Sequence, residues 1–371
     1  MPNIYLDHNS TSINDANLLN KLVDDKSLFF NPSSIHRDGQ QSKMAIEKTR
    51  SLILKLLNIE NDYHAIFFSS CTEVNNFIFY NFKDYTKMVS AIEHPSILNT
   101  IGVGEDIILI PVDKNGIIDF VFLENNLIEL YNKNKKTIVS VMMANNETGV
   151  INDLMVIGRL CKKYNAILHS DIAQYFGKLP LDLNDLNIDL ISISGHKIGS
   201  LLGVGVLLFK KGLKLQAMIN GGRQEKNLRS GTENVLAIRS LYIILLRYEE
   251  FIEKYQKIKI LRNKLEDGLL SIDRDITIFS RQVIRLPNTS CIHFSIFDSQ
   301  ILFMYLDDKG ISIGKGSACS SGLLTKSHVI EAMGYSKNIA KNTLRISLGV
   351  NNTEEEINYL IQMINNLRNI Y

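Results

Sequence analysis

The amino-acid sequence predicts an α/β protein organised around a largely parallel sheet. Four short apolar runs, at 65–68, 137–144, 166–169 and 190–193, each stop where small or polar residues begin. Between two of these runs, Leu154, Ile157, Leu160, Cys161 and Tyr164 recur at helical spacing. Apolar strands alternating with helices are the pattern of a parallel sheet covered on both faces. Polar residues that follow the strands then fall along the carboxyl edge, where open sheets of this kind hold their ligands.

Taken in order, the run at 65–68 leads into Ser69, Ser70, Cys71, Thr72 and Glu73, a polar knot suited to opening a helix. Residues 203–209, with repeated Gly and Val, add a further strand. Val235, Ile238, Leu241, Tyr242, Leu245 and Leu246 mark an amphipathic helix, which the more polar stretch 249–270 continues or restarts. From about residue 288 onward, short strands and two helices are expected, the last carrying Ile357, Leu360, Ile361, Ile364 and Leu367. A chain of 371 residues has room for two domains. The expected division is a large domain over 15–250 and a smaller α+β domain over 251–371, joined by the N-terminal residues 1–14.

Composition narrows the function classes. Lys and Arg total 41 against 39 Asp and Glu, too even a balance to argue for nucleic-acid binding. No apolar run approaches the roughly 18 residues of a membrane span, so no direct membrane contact is expected. The start, MPNIYLDHNSTS, lacks the basic-then-apolar pattern of a secretion signal. Four cysteines, at 71, 161, 291 and 319, give neither a disulfide lattice nor the close pairs of a zinc site. A reducing, cytoplasmic setting without a metal centre is the expectation.

The most informative stretch is Ser192, Ile193, Ser194, Gly195, His196, Lys197, in which an apolar strand runs straight into a lysine. Burial and a cationic neighbour both favour the neutral amine, the form that condenses with an aldehyde. Ser194 and His196 could donate to an anion beside it, although a surface lysine would show the same spacing. Asp171 ends another strand, where its carboxylate could keep a pyridine nitrogen protonated or simply cap a helix. Cys71 and Thr72 follow a third strand, where a helix start offers free N–H groups to a phosphate. Each signal is weak alone. Together they describe one site.

With these residues in place, the chain resembles the NifS/IscS-type cysteine desulfurases, fold-type-I pyridoxal phosphate enzymes of the class V aminotransferase family. The matching segments include YLDHNSTS at 5–12, NPSSIHRDG at 31–39, SSCTEVNN at 69–76 and EHPSIL at 93–98. Further along are ANNETG at 144–149, HSDIAQYFGKLP at 169–180, SISGHK at 192–197, RSGTEN at 229–234, GKGSACSSG at 314–322 and LRISLG at 344–349. The resemblance implies pyridoxal 5'-phosphate carried by Lys197, with Asp171 at its ring nitrogen and Gln174 at its ring hydroxyl. It implies a phosphate seat of Cys71, Thr72, Ser194 and His196. It also implies a homodimer, with Thr232 reaching the partner's phosphate. His94 would stack on the ring and move protons, and Asn146 and Arg345 would hold the substrate. Arg suits a carboxylate because its planar fork meets both oxygens.

Cys319 would accept the sulfur. It lies in a stretch, 314–322, with three glycines and three serines, a composition expected of a loop able to swing. Cys161, on a helical apolar stripe, and Cys291, entering a strand, are expected in the core. The implied reaction converts L-cysteine to L-alanine and leaves a persulfide on Cys319, for an iron–sulfur scaffold or a tRNA-thiolation relay. Selenocysteine lyase is the alternative with the same fold, and a non-catalytic scaffold of that fold is the remaining one. Three departures stand out: Gly199, Ser200, Leu201, Leu202 and Gly203 replace a proline- and lysine-containing turn, Ser70 replaces a glycine, and Arg223 replaces another. The first of these suggests a less rigid cofactor turn. The end at Tyr371 suggests that a longer extension used by some relatives to dock a scaffold protein is missing.

Overall fold

A computed structural model describes residues 3–100, 106–315 and 326–370. Cys319 therefore lies outside the described residues. Among the described residues there are twelve strands: β1 (Ile4–Leu6), β2 (Tyr63–Phe68), β3 (Thr86–Ser90), β4 (Ile107–Ile110), β5 (Thr137–Ser140), β6 (Ile167–Asp171), β7 (Leu190–Ser194), β8 (Gly205–Lys210), β9 (Thr277–Ile278), β10 (Thr289–His293), β11 (Ile311–Lys315) and β12 (Thr343–Ser347). Seven of them form one sheet in the order β2-β8-β7-β6-β5-β3-β4. β4, β3, β5, β6 and β7 run parallel, and only β8, between β7 and β2, runs against them.

Burial explains why these segments are strands. β3, β5 and β7 are buried at every position, which requires both faces to be covered by helices. The run at 137–144 leaves regular pairing after Ser140, yet Val141 and Met143 still donate their amides to His169 O and Asp171 O. The chain crossing from the sheet to the site is thus held at regular intervals.

The second sheet has the order β1-β11-β12-β10-β9. β1 pairs in parallel with β11, so the N-terminus is built into the sheet of the C-terminal third. From there residues 7–14 cross to the larger sheet, where Ser12 N–H donates to His196 O. The helices Val235–Leu245 and Tyr248–Ile272 are separate, with a break at Leu246 and Arg247. Among the described residues beyond 288 there are four helices rather than the expected two: Ser299–Asp308, His328–Ala332, Lys337–Lys341 and Glu354–Arg368. The middle two have five residues each, too short for a helical period to register in the sequence.

A buried ionic knot ties the Tyr248–Ile272 helix to the second sheet. Glu266, 1% exposed, accepts from Arg285 Nη2 at 2.6 Å and from Ser290 Oγ. Arg285 is itself buried, so removing the carboxylate strands a cation away from water. Glu266→Ala should cost roughly 3–5 kcal/mol in chemical unfolding, the range found when one partner of a buried pair is deleted. A loss below about 1 kcal/mol would mean that Arg285 finds another anion or water. Among the described residues no helix is long and apolar enough to cross a membrane.

Candidate active site

The ends of β6 and β7, and the helix that follows β2, converge on a cavity of about 540 Å3. Lys197 sits in the 3-10 turn Gly195–Ile198 directly after β7, and its Nζ donates to Asn9 O and Ser10 O at 2.7 Å each. Gly195 permits this turn, because a Cβ there would lie 2.4 Å from Ser200 Oγ and 2.6 Å from Val204 Cγ1. The unusual turn that follows is tied down by neighbours rather than by proline. Ser200 N–H donates to Gly195 O, Leu201 N–H donates to Ser240 Oγ, and Gly199, at φ +96°, lies against Asn14.

Asp171, at the end of β6, is 6% exposed and fully engaged. Its Oδ1 accepts from Ala173 N–H at 2.9 Å, and Oδ2 accepts from Asn75 Nδ2 at 3.2 Å and Cys71 Sγ at 3.6 Å. His169, two residues earlier, bridges Ser140 and Ser192 on the flanking strands, at 2.9 Å to each. Burial pushes the His169 imidazole down to about 4, so this bridge is neutral. Cys71 is a different thiol from a sulfur acceptor. Burial, followed by the Asp171 charge, pushes it well above the usual thiol range and keeps it protonated.

The Cys71–Asn81 helix is capped by Ser70, whose Oγ accepts from Glu73 N–H at 3.2 Å. The amides of Cys71 and Thr72, at the start of the helix, have no partner within it, and both residues line the cavity. β8 passes so closely beneath that a Cβ on Gly205 would lie 2.4 Å from the Ser70 carbonyl carbon and 2.7 Å from Cys71 N. Ser194 and His196 complete this corner. Burial and then the Lys197 charge lower His196 to about 4, and its Nδ1 is 3.1 Å from Thr11 Oγ1.

His94 caps the short helix Pro95–Leu98, and its Nδ1 accepts from Ser96 N–H at 3.1 Å. That bond places the proton of the neutral ring on Nε2. Burial lowers the ring's pKa most; Asp171 opposes that shift, and Lys197 and His328 add to it. Arg345, 3% exposed on β12, donates from Nη2 to Asp7 Oδ1 at 2.7 Å and to Ser10 Oγ at 2.8 Å. Its Nη1 donates to Asn146 O at 3.1 Å. The Oδ1 of Asn146 is buried without a hydrogen-bond partner among the described residues.

Ten of the residues singled out in the sequence line this one cavity: Lys197, Asp171, Gln174, Cys71, Thr72, Ser194, His196, His94, Asn146 and Arg345. Thr232 is exposed and lies outside it. Cys161 and Cys291 are in the core, at 1% and 0% exposure. Sequence reasoning missed the polar frame around the site. Asn9 joins β1 to the cavity, its carbonyl accepting from Lys197 and Gln174 and its Oδ1 accepting from Lys178 and Asn288. Lys178 is fully buried, with Nζ 2.9 Å from Gln174 Oε1. Glu147 is pushed up to about 7 by burial, although the bond from Ser327 Oγ and the Arg345 charge pull the other way. Asn9 and Glu147 do lie in the segments 5–12 and 144–149, but nothing in one sequence shows what they touch.

Two parallel-strand ends and a helix start facing one cavity is the layout of the fold-type-I pyridoxal phosphate transferases, and an aminotransferase class-V family model matches residues 4–360. Along its whole length the chain is 34% identical to the cysteine desulfurase NifS of Azotobacter vinelandii, covering 94% of that protein. It is also 34% identical to a cysteine desulfurase IscS of Clostridium botulinum, over 97% of this chain and 93% of the relative. Among solved structures, a NifS-like protein from Rickettsia africae superposes with a TM-score of 0.91 at 38% identity, covering 99% of this chain and 100% of the other. The chain belongs to the NifS/IscS-type cysteine desulfurases of the class-V aminotransferase family.

Proposed function

We propose that the chain is a pyridoxal phosphate-dependent cysteine desulfurase, converting L-cysteine to L-alanine and passing the sulfur on as a persulfide. The observation that carries this reading is the convergence of Lys197, Asp171 and the Cys71–Asn81 helix start on one cavity. An amine for the aldehyde, a carboxylate for the ring nitrogen and free amides for the phosphate are the donor set this cofactor needs. Asn146 Oδ1 and Arg345 Nε, both buried without a partner among the described residues, mark where a polar ligand would be held.

When bound, the cofactor supplies an electron sink for bond breaking at the substrate's α and β carbons. Lys197 would hold it, and its Nζ would take and return the α-proton. Asp171 keeps a proton on the ring nitrogen, its own orientation fixed by Ala173, Asn75 and Cys71. Thr72, Ser194 and His196 join the helix amides at the phosphate, and Gln174 serves the ring hydroxyl. Arg345 holds the substrate carboxylate. His94, which lines the cavity and keeps its neutral-ring proton on Nε2, would deliver a proton on the substrate's sulfur side. Cys319 would attack that sulfur as a thiolate: the S–S bond forms, the C–S bond breaks with its electron pair left on the β-carbon, and protonation of that carbon gives alanine.

Thr232 is exposed and outside its own chain's cavity, as a residue serving a partner's phosphate must be. This supports a homodimer. The three described cysteines are unpaired, in keeping with a cytoplasmic location. The recipient is a sulfur-accepting protein such as an iron–sulfur scaffold or a tRNA-thiolation relay. Adding L-cysteine to purified, pyridoxal phosphate-loaded protein should shift its visible absorption and release alanine and, with a thiol reductant, sulfide in equal amounts. A spectral shift without alanine would remove the desulfurase assignment and leave only cofactor binding.

A further inference from the structure

The guanidinium assigned to the substrate carboxylate already faces a carboxylate of its own chain. Asp7 follows β1, Arg345 lies on β12 and Gly314 on β11, and Gly314 and Arg345 are register partners. The three meet closely. A Cβ on Gly314 would lie 2.5 Å from Asp7 Oδ1, 2.8 Å from Arg345 Nη2 and 3.0 Å from Arg345 Nε. Only glycine at this position leaves room for Asp7 and Arg345 to pair.

The hydrogen-bond inventory of Arg345 is more telling than its charge. Nη2 carries two hydrogens, and Asp7 Oδ1 and Ser10 Oγ accept them at 2.7 and 2.8 Å. Among the described residues Nη1 has one acceptor, Asn146 O, and Nε has none. A guanidinium can grip a carboxylate with two parallel bonds along either of two edges, Nη1 with Nη2 or Nε with Nη2. Both edges use Nη2. A ligand carboxylate can therefore be gripped with two bonds only if Asp7 or Ser10 gives up its hydrogen. Asp7 also brings a like charge against the incoming ligand.

We infer that Asp7 is a specificity-determining residue: an internal carboxylate that competes with the α-carboxylate of substrate and product for Arg345 Nη2. Its effect falls on ligands that carry this carboxylate and spares amines that lack it. It weakens retention of L-alanine, and so favours product release, at the expense of some substrate affinity. The inference rests on the proposed assignment of Arg345 to the carboxylate.

The test is calorimetric titration of the cofactor-loaded protein with L-alanine and with ethylamine, which is the same amine without the carboxylate. Asp7→Asn keeps the shape and an acceptor oxygen but removes the charge. It should tighten L-alanine binding by about tenfold and leave ethylamine within about twofold. Ser10→Ala frees the other Nη2 hydrogen and should tighten L-alanine by about threefold, which keeps the inference open to test should Asp7→Asn fold poorly. Arg345→Gln separates the two assignments. If it weakens L-alanine selectively while D7N and S10A leave that affinity unchanged or weaker, Asp7 is only a structural partner and the inference is overturned. If Arg345→Gln alters L-alanine no more than ethylamine, the carboxylate assignment of Arg345 fails, and the role of Asp7 falls with it.

Discussion

Lys197→Ala should lower alanine formation by about a thousandfold or more, even with pyridoxal phosphate supplied in excess. Two functions disappear together, the amine that anchors the cofactor and the base at the α-carbon. Three nearby basic side chains cannot substitute. His196 and His169 are neutral, each lowered to about 4 by burial, and Lys178 is fully buried against Asn9 and Gln174. Lys197→Arg should not restore turnover, because a guanidinium does not give up its proton under these conditions. Borohydride reduction of the wild-type protein followed by peptide mapping should mark Lys197, and the variant should carry no adduct. Turnover within tenfold of wild type would place the aldehyde elsewhere.

The fold was legible where total burial falls on an unbroken apolar run; β3 is equally buried but escaped notice because Thr86, Lys87 and Ser90 interrupt its apolar residues. β5 and β7 read as apolar runs ending in polar residues because both of their faces are covered. β4 was harder to see, since it is an edge strand with Leu109 53% exposed and little packing to select its residues. The reversed direction of β8 left no trace, because side-chain alternation is the same for parallel and antiparallel neighbours. The Lys337–Lys341 helix was invisible for a related reason: of its five residues, only Ala340 is buried.

The candidate site shows a similar division. Residue types at strand ends pointed to Lys197 and Asp171 because a lysine or carboxylate following an apolar run is conspicuous. Their supports were not conspicuous. Asn75 is one polar residue among several on a helix, and nothing in the sequence says that its amide lies 3.2 Å from Asp171. Lys178 reads as a surface residue until the fold buries it beneath Asn9. Asp7 meets Arg345 from 338 residues away in the chain. Chemistry-bearing groups are betrayed by local pattern, whereas the groups that orient them are fixed by contacts between distant strands.

Cys319→Ser should abolish persulfide formation and reduce alanine release from L-cysteine by about a thousandfold or more, with cofactor binding unchanged. Sulfur transfer needs a thiolate, and the hydroxyl of serine cannot take its place. The other three thiols offer no route around the loss. Cys161 and Cys291 are sealed in apolar cores, and burial raises both well above the ordinary thiol range. Cys71 does line the cavity, yet burial and Asp171 hold it protonated, and its Sγ lies 3.6 Å from the carboxylate that serves the ring. Moving sulfur through Cys71 would put an anion beside Asp171, a like-charge pair that the partly closed cavity would penalise. Labelling with a persulfide-selective reagent after one turnover should therefore mark the peptide containing Cys319 and leave that of Cys71 unmarked. Persulfide on Cys71, or sulfide release by Cys319→Ser at more than about a tenth of the wild-type rate, would move the acceptor to the strand-end thiol and require Asp171 to be protonated during the cycle.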